Sequence, residues 1–258
     1  MEYNMSGHTP HFRKIFFEVF ESLPRQGPGN RACVARALAF CRELPPTPAV
    51  LDLGCGVGGQ TLHLADLTSG PIVALDSHAP SIGRLRATVA MRGLAERIRP
   101  MVGDMAKPGL PPASFDLVWS EGALYNIGLE NALRVCHGLL RVGGYLAFTD
   151  AVWRKKNPPP EVRASFEDDY PTMGRAPNVL AAIERGCFSL MGHFTLPDDA
   201  WWDDFYTPME IRIEELRDKY EDDDEALAVL DQLAQAPAMH RRHSDYYAYE
   251  FFVTRRLG

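Results

Sequence analysis

The chain has 258 residues, 46% hydrophobic and 24% charged, a globular composition long enough to bury a large core in one α/β domain with insertions. Its formal net charge of −7 disfavours DNA and RNA as partners, since long polyanions are bound mainly through Lys and Arg. The five cysteines (Cys33, Cys41, Cys55, Cys136 and Cys187) are scattered and form no C-x-x-C pair, which argues for reduced thiols and against a structural zinc site or other metal centre. Met1-Glu2-Tyr3-Asn4 lacks the basic-then-apolar pattern of a signal peptide, and no apolar run is long enough to span a bilayer. These features predict a soluble, cytoplasmic protein with no membrane partner, a monomer or a homodimer.

Phe12, Ile15, Phe16, Val19, Phe20 and Leu23 recur at helical spacing and predict a helix over 12–24. Pro24-Arg25-Gln26-Gly27-Pro28-Gly29-Asn30 is a loop, and a second helix over 31–42 should stop before Pro45-Pro46. Residues 1–47 are therefore expected to form a helical cap or lid, whose 24–30 loop, carrying Arg25 and Gln26, closes with its preceding helix over one end of a bound cofactor. From residue 48 strands alternate with helices: strands at 49–53, 72–76, 98–102, 115–119 and 145–149, helices at 60–67, 79–92 and 130–140. That rhythm makes βαβ units and a parallel sheet. After Asp150 it breaks. A loop at Asn157-Pro158-Pro159-Pro160 and a mixed segment lead to a helix at 178–185 and a strand at 187–196. A final strand covers 246–255. Between the last two strands lies an insertion, 197–245, with helices at 208–220 and 223–235; Asp222-Asp223-Asp224 reads as a solvated linker that caps the second.

The densest signal is Val50-Leu51-Asp52-Leu53-Gly54-Cys55-Gly56-Val57-Gly58-Gly59-Gln60-Thr61. A short apolar run is a buried parallel strand, and glycines after it let the backbone turn tightly and approach a ligand. The helix that follows offers unpaired N–H groups at its start. Gly54, Gly56 and Gly59 also satisfy the dinucleotide pattern G-x-G-x-x-G, so further features are needed. Asp76 ends the second strand, where an acid accepts hydrogen bonds from ribose hydroxyls. Val102-Gly103-Asp104-Met105 ends the third with an acid suited to an adenine amine and an apolar wall. Leu139-Leu140-Arg141-Val142-Gly143-Gly144-Tyr145-Leu146 reads as a helix end, a Gly-Gly turn and a strand.

At these residues the chain resembles the class I, Rossmann-like S-adenosylmethionine-dependent methyltransferases. Asp52-x-Gly54-x-Gly56-x-Gly58 is similar to the family's first motif, Asp76 to its ribose-binding acid, and Asp104 to its adenine-side acid. Leu140-Arg141-Val142-Gly143-Gly144 is similar to the turn before its fifth strand. The resemblance covers roughly residues 49–150. It implies a doubly wound, mostly parallel seven-stranded sheet with an antiparallel last strand, and the 187–196 and 246–255 strands fit that final hairpin. It implies S-adenosyl-L-methionine as cofactor, S-adenosyl-L-homocysteine as product, and a cofactor site built from Asp52, Gly54, Cys55, Gly56, Gln60, Asp76, Ser77, Asp104, Met105, Ser120 and the lid's Gln26. The 119–128 loop together with 247–252 resembles a bacterial small-molecule subgroup that implies no particular acceptor.

In open α/β sheets chemistry takes place at the carboxyl ends of the strands, which places Glu121, Tyr125 and Asn126 near the transferable methyl. Glu121 is the candidate general base if the nucleophile carries a proton, and equally a structural partner of the N-terminal segment; Tyr125 is a second catalytic candidate or a cavity wall. The loop lacks the Asp/Asn-Pro-Pro-aromatic tetrad of base-amine methylases, which with the acidic balance favours a small-molecule acceptor. Trp201, Trp202, Phe205 and Tyr206 either pack the insertion on the sheet or form an aromatic lid, and Trp202 and Tyr206, with Asn126, are the acceptor-binding candidates. Asp52 is expected to hold the glycine loop through backbone N–H bonds, His193 to be a satisfied core residue, and His240 and His243 to lie on the surface. Two other readings stay open: a nicotinamide-dependent oxidoreductase, for which nothing downstream supplies a hydride-transfer acid/base pair, and a cofactor-binding module without transferase activity.

Overall fold

The structure, a computed structural model, describes residues 8–167 and 170–258; the signal-peptide reading of residues 1–4 lies outside them. Two N-terminal helices, α1 (Pro10–Phe20) and α2 (Arg31–Leu38), precede the sheet. Then follow β1 (Val50–Leu53), α3 (Gly59–Leu67), β2 (Ile72–Asp76), α4 (Ala79–Met91), β3 (Ile98–Val102) and β4 (Phe115–Glu121). A 3₁₀ turn at Leu124–Ile127 leads to α5 (Leu129–Leu139), β5 (Leu140–Trp153), α6 (Pro160–Glu167), α7 (Ala176–Arg185) and β6 (Phe188–Thr195). The insertion holds a short α8 (Asp199–Trp201), a π-helical turn (Trp202–Tyr206), α9 (Thr207–Lys219) and α10 (Asp224–His243), and the chain ends in β7 (Tyr247–Arg256).

The seven strands form one sheet in the order β3-β2-β1-β4-β5-β7-β6. β7 runs antiparallel to both its neighbours, and the other six strands are parallel. Chain direction across the sheet reverses between β1 and β4, so the crevice beyond their carboxyl ends is where such a sheet binds ligands. Every residue of β1 is buried, as expected of a central strand covered on both faces. One face carries Ile72, Ala74, Leu117, Trp119, Tyr145, Phe251 and Val253 against the N-terminal helices, α3, α4 and the insertion. The other carries Leu51, Leu53, Leu146, Phe148 and Phe252 against α5 and α7.

The structure departs from the sequence reading in ways that matter for the site. β4 runs two residues beyond the expected end, so Glu121 belongs to the strand. The Gly143-Gly144 step is no turn before β5. It lies inside that strand as an irregularity, where Phe115 pairs with Leu140 but Leu117 pairs with Tyr145. The second insertion helix does not stop at residue 235 but passes through Pro237 to His243. Ala226, Val229, Leu230, Leu233, Pro237 and His240 are buried along one face; that tertiary packing offsets the lost backbone bond that normally makes proline end a helix. Asp223 caps this helix as expected, its Oδ1 accepting from the Ala226 N–H at 2.9 Å. α1 packs on α9 and α10, and Glu18 accepts from the Tyr220 hydroxyl at 2.8 Å and pairs with Lys219 and Arg212. The N-terminal segment and the insertion thus form one continuous layer over the sheet. Among the described residues no helix is long and apolar enough to cross a membrane.

Candidate active site

Beyond β1 the backbone of Gly54, Gly56 and Gly58 adopts φ of +79°, +53° and +89°, a region that non-glycine residues enter at a cost. Space imposes the same choice at Gly54, where an added Cβ would lie 2.5 Å from the Ala123 Cβ. The Gly54 and Cys55 N–H groups donate to the Leu75 carbonyl at 2.8 and 3.0 Å. The Gly56 N–H donates to Asp76 Oδ2 at 2.8 Å, and the His78 N–H to Asp76 Oδ1 at 2.9 Å. It is therefore Asp76, at the end of β2, that holds the loop by its backbone. Asp52, expected in that role, instead accepts from the side chains of Thr61 and Gln60 and so ties α3 to β1; complete burial pushes its carboxyl up to about 7. Burial likewise holds the Cys55 thiol protonated, so this residue contributes backbone. Ser120 donates to the Leu53 carbonyl at 2.7 Å. Ser77 is half-buried, Met105 is buried, and Asp104 is exposed, its Oδ1 accepting from the Ala106 N–H at 2.7 Å.

The 24–30 loop covers the glycines. Arg25 is only 4% exposed. Its Nη2 donates to Glu121 Oε2 at 2.8 Å and to the Pro28 carbonyl at 3.3 Å, and its Nε to the Gly27 carbonyl at 3.3 Å. Its Nη1 is buried with no partner among the described residues. Glu121 Oε1 accepts from the Trp119 indole at 2.7 Å. Of the two roles open to Glu121, the structure displays the link to the N-terminal segment. Gln26 donates to the Phe20 carbonyl at 3.3 Å and to Ser81 at 3.4 Å, and its Oε1 stands 2.5 Å from where a Gly56 Cβ would be. A residual space of about 20 Å³ remains among Arg25, Gln26, Gly54, Gly56, Gln60 and Glu121. The unpartnered guanidinium N–H at the glycine loop fits the carboxylate of an amino-acid group, because a buried donor without an acceptor is costly. Arg25 was legible in the sequence only as a loop residue; its ion pair spans 96 positions.

Gly27 also lines a second, larger cavity of about 190 Å³ beside the first. Eight aromatic side chains wall it, among them Tyr125, Tyr170, Trp201, Tyr206 and Tyr249. Tyr125 stacks on Tyr170 with centroids 4.9 Å apart, and Trp201 meets Tyr249 edge-on at 5.2 Å. The Tyr170 hydroxyl donates to Asp150 Oδ2 at 3.0 Å. Asp150 is 2% exposed, burial pushes its carboxyl up to about 7, and its Oδ1 has no partner among the described residues. The sequence reading passed over Asp150 as a strand end.

Of the catalytic and acceptor-binding candidates, Tyr125 and Tyr206 line this cavity. The Trp202 side chain is not part of its lining and packs beneath the Arg241 guanidinium, 4.3 Å from the ring centre. Asn126 turns its amide back to the Ala123 carbonyl at 2.9 Å. His240 is not on the surface. It is 3% exposed, stacks on Trp201 at 4.2 Å, and bonds Tyr247 and Asp198 at 3.2 Å each. The burial follows from the extension of α10 past Pro237. His193 is satisfied, by Glu250, but on the sheet's outer strand with its side chain 39% exposed rather than in the core.

Residues 50–144 match the family described as "Methyltransferase domain". The chain is 34% identical over 124 residues to the sarcosine/dimethylglycine N-methyltransferase of Halorhodospira halochloris, covering 47% of this chain and 44% of that protein. It is 27% identical over 164 residues to the sterol 24-C-methyltransferase ERG6B of Gibberella zeae, covering 60% of this chain and 43% of that protein. The chain thus spans less than half the length of these relatives. Its fold is similar to that of an S-adenosylmethionine-dependent methyltransferase from Geobacter sulfurreducens solved with S-adenosyl-L-homocysteine, with a TM-score of 0.78 at 20% identity over 93% of this chain and 97% of the other. A counterpart from Thiobacillus denitrificans, solved with the same molecule, gives 0.79 with the same identity and coverage. The glycine loop, Asp76, Asp104 and the Gly143-Gly144 step all fall within residues 50–144, the segment that matches the methyltransferase-domain family.

Proposed function

We propose that the protein transfers a methyl group from S-adenosylmethionine to a small-molecule acceptor seated in the aromatic cavity. The observation that carries this reading is the junction at Gly27: one loop lines both the glycine-loop space and the aromatic cavity, so the two reactants of a displacement can be held side by side. When bound, the cofactor supplies a methyl carbon already made electrophilic by its sulfonium. The chain's own work is then positioning and exclusion of water. Asp76 takes the ribose hydroxyls, and Met105 with Asp104 the adenine. The unpartnered Nη1 of Arg25 takes the methionine carboxylate, and Glu121, beside it, the ammonium. This reading gives Glu121 a binding role in place of general base. Tyr125 and Tyr206 act as walls that orient the acceptor. α1 and the 24–30 loop act as the lid, and the Gly29 N–H, which donates to the Ala200 carbonyl at 2.8 Å, carries the lid's position into the insertion.

The test uses two nucleosides, S-adenosylhomocysteine and 5′-methylthioadenosine, which lacks the amino-acid end. Calorimetry of Arg25→Gln should show S-adenosylhomocysteine binding weakened about 10- to 100-fold, the cost of a lost charged hydrogen bond, with methylthioadenosine unchanged. An equal loss for both ligands would remove Arg25 from the carboxylate. A wild-type protein that binds neither would refute the methyltransferase reading itself.

A further inference from the structure

The aromatic cavity has a composition that goes beyond shape. None of the described residues lining it is Lys, Arg or His, and apart from tyrosine hydroxyls the one polar side chain is Ser165. Nothing there could neutralise a carboxylate or phosphate on the acceptor. Four of the eight rings are tyrosines, Tyr125, Tyr170, Tyr206 and Tyr249. Behind Tyr170 stands the buried Asp150, with one oxygen receiving the phenol proton and the other without a partner among the described residues. Ring faces are the negative ends of aromatic quadrupoles, and a cation held against them, away from water, is stabilised. A buried carboxylate behind one wall adds to the same sign of potential, and the low local dielectric strengthens both.

We propose, resting on the methyltransferase reading above, that this cavity is a cation box and that the methyl acceptor is an amine without an acidic group, whose nitrogen becomes the ammonium. The bookkeeping of the displacement agrees with the walls. The nitrogen lone pair forms the new N–C bond while the C–S bond breaks; its electron pair stays on sulfur, which becomes a neutral thioether. The unit positive charge therefore arrives inside the aromatic box. A nitrogen that arrives protonated first gives its proton to the Tyr170 oxygen as Tyr170 passes its own to Asp150, which frees the lone pair for attack and leaves the methylated product as the ammonium. A carbanion, or an oxygen acceptor that gives up its proton, ends neutral and would draw nothing from such surroundings.

The experiment compares two probes of the same shape, choline and its carbon isostere 3,3-dimethyl-1-butanol, titrated into protein saturated with S-adenosylhomocysteine. Choline should bind about tenfold more tightly than the alcohol, the scale of a desolvated cation–π contact. Tyr170→Leu should shrink that preference while leaving S-adenosylhomocysteine binding, which its ring does not touch, within about twofold. Equal affinity for the two probes, a preference for the alcohol, or no choline binding at millimolar concentration overturns the cation box. The cofactor titration is read separately. Protein that binds no S-adenosylhomocysteine refutes the parent reading and takes the amine with it, whereas normal cofactor binding without a choline preference refutes the amine alone.

Discussion

Gly27 stands between two chambers made of different materials. On one side is a nearly filled space of about 20 Å³, lined by glycine backbone, a buried ion pair and two glutamines. On the other is a cavity of about 190 Å³ walled by aromatic rings. Each side has one fully buried aspartate, and the pair makes the contrast sharp. Asp52 and Asp150 are both pushed up to about 7 by burial. Both oxygens of Asp52 have donors, from Thr61 and Gln60, whereas Asp150 has Tyr170 on one oxygen and no partner on the other among the described residues. A satisfied buried acid holds structure together, and an unsatisfied one marks a place where chemistry or a ligand is expected. Each chamber thus keeps one unsatisfied buried group, of opposite charge: the Arg25 Nη1 donor beside the glycine loop and the Asp150 Oδ1 acceptor behind the aromatic wall.

The strongest way to break the contrast is to damage the first chamber alone. Gly54→Ala forces an L-residue into φ of +79° and brings its Cβ to 2.5 Å from the Ala123 Cβ. Left-handed strain and overpacking together should cost about 2–5 kcal/mol of stability and abolish S-adenosylhomocysteine binding. Chemical denaturation with calorimetry checks both. A variant with unchanged midpoint and affinity would show that the loop has slack, and that the glycine is not what shapes the chamber.

The same contrast explains what the sequence could reveal. The glycine loop, Asp76 and Asp104 lie at fixed offsets from apolar strand segments, so local spacing was enough to single them out as candidates, while the seven-stranded sheet with its antiparallel last strand followed from the family resemblance those residues carry. The aromatic chamber is assembled from α1, the 3₁₀ turn after β4, the segment after α6, the insertion and β7, whose relative placement no local pattern encodes. Tyr170 comes within reach of Asp150 from 20 residues away, and Arg25 reaches Glu121 from 96. His240 was read as surface because it stands beside Arg241 and Arg242, but α10 passes through Pro237 and buries Pro237 and His240 on one face. Trp202 and Tyr206 were equivalent in sequence; the π-helical turn that holds both decides which of them reaches the cavity.

A smaller effect separates the two aspartates by pH. Both carboxyls titrate near 7 in the folded chain, against about 3.9 when unfolded. Between those values the folded state binds more protons, so these groups make stability fall as pH rises from about 4 to about 7 and level off above. Asp150→Asn removes one of the two contributions. Its stability should decline less steeply across that window, and relative to wild type the variant should gain on the order of 1–3 kcal/mol between pH 5 and pH 8. Thermal melts of both proteins at the two pH values give the difference directly. Parallel declines would show that Asp150 ionises normally, and with it the case for an unsatisfied acid behind Tyr170 would fall.

The smallest effect concerns an aromatic residue that lies outside both chambers. Trp202 is half-buried, with the Arg241 guanidinium over its ring at 4.3 Å, and Arg241 is itself ion-paired to Glu210. An exposed cation–π contact of this kind is worth about 0.5–1 kcal/mol. Trp202→Leu keeps the apolar volume nearest the backbone while losing the ring, so stability should fall by less than about 1 kcal/mol. S-adenosylhomocysteine binding should stay at the wild-type value, because no glycine-loop residue touches this ring in the structure's stacking contacts, which are to Tyr206 and His240. Choline binding should also persist, since Trp201 and Tyr206 retain their places in the wall. Tyr206→Leu, four residues along the same turn, should instead weaken choline while sparing the cofactor. If Trp202→Leu loses choline as strongly as Tyr206→Leu does, the insertion works as one aromatic plate rather than as a wall with an inside and an outside, and the acceptor chamber extends to the face that carries Arg241.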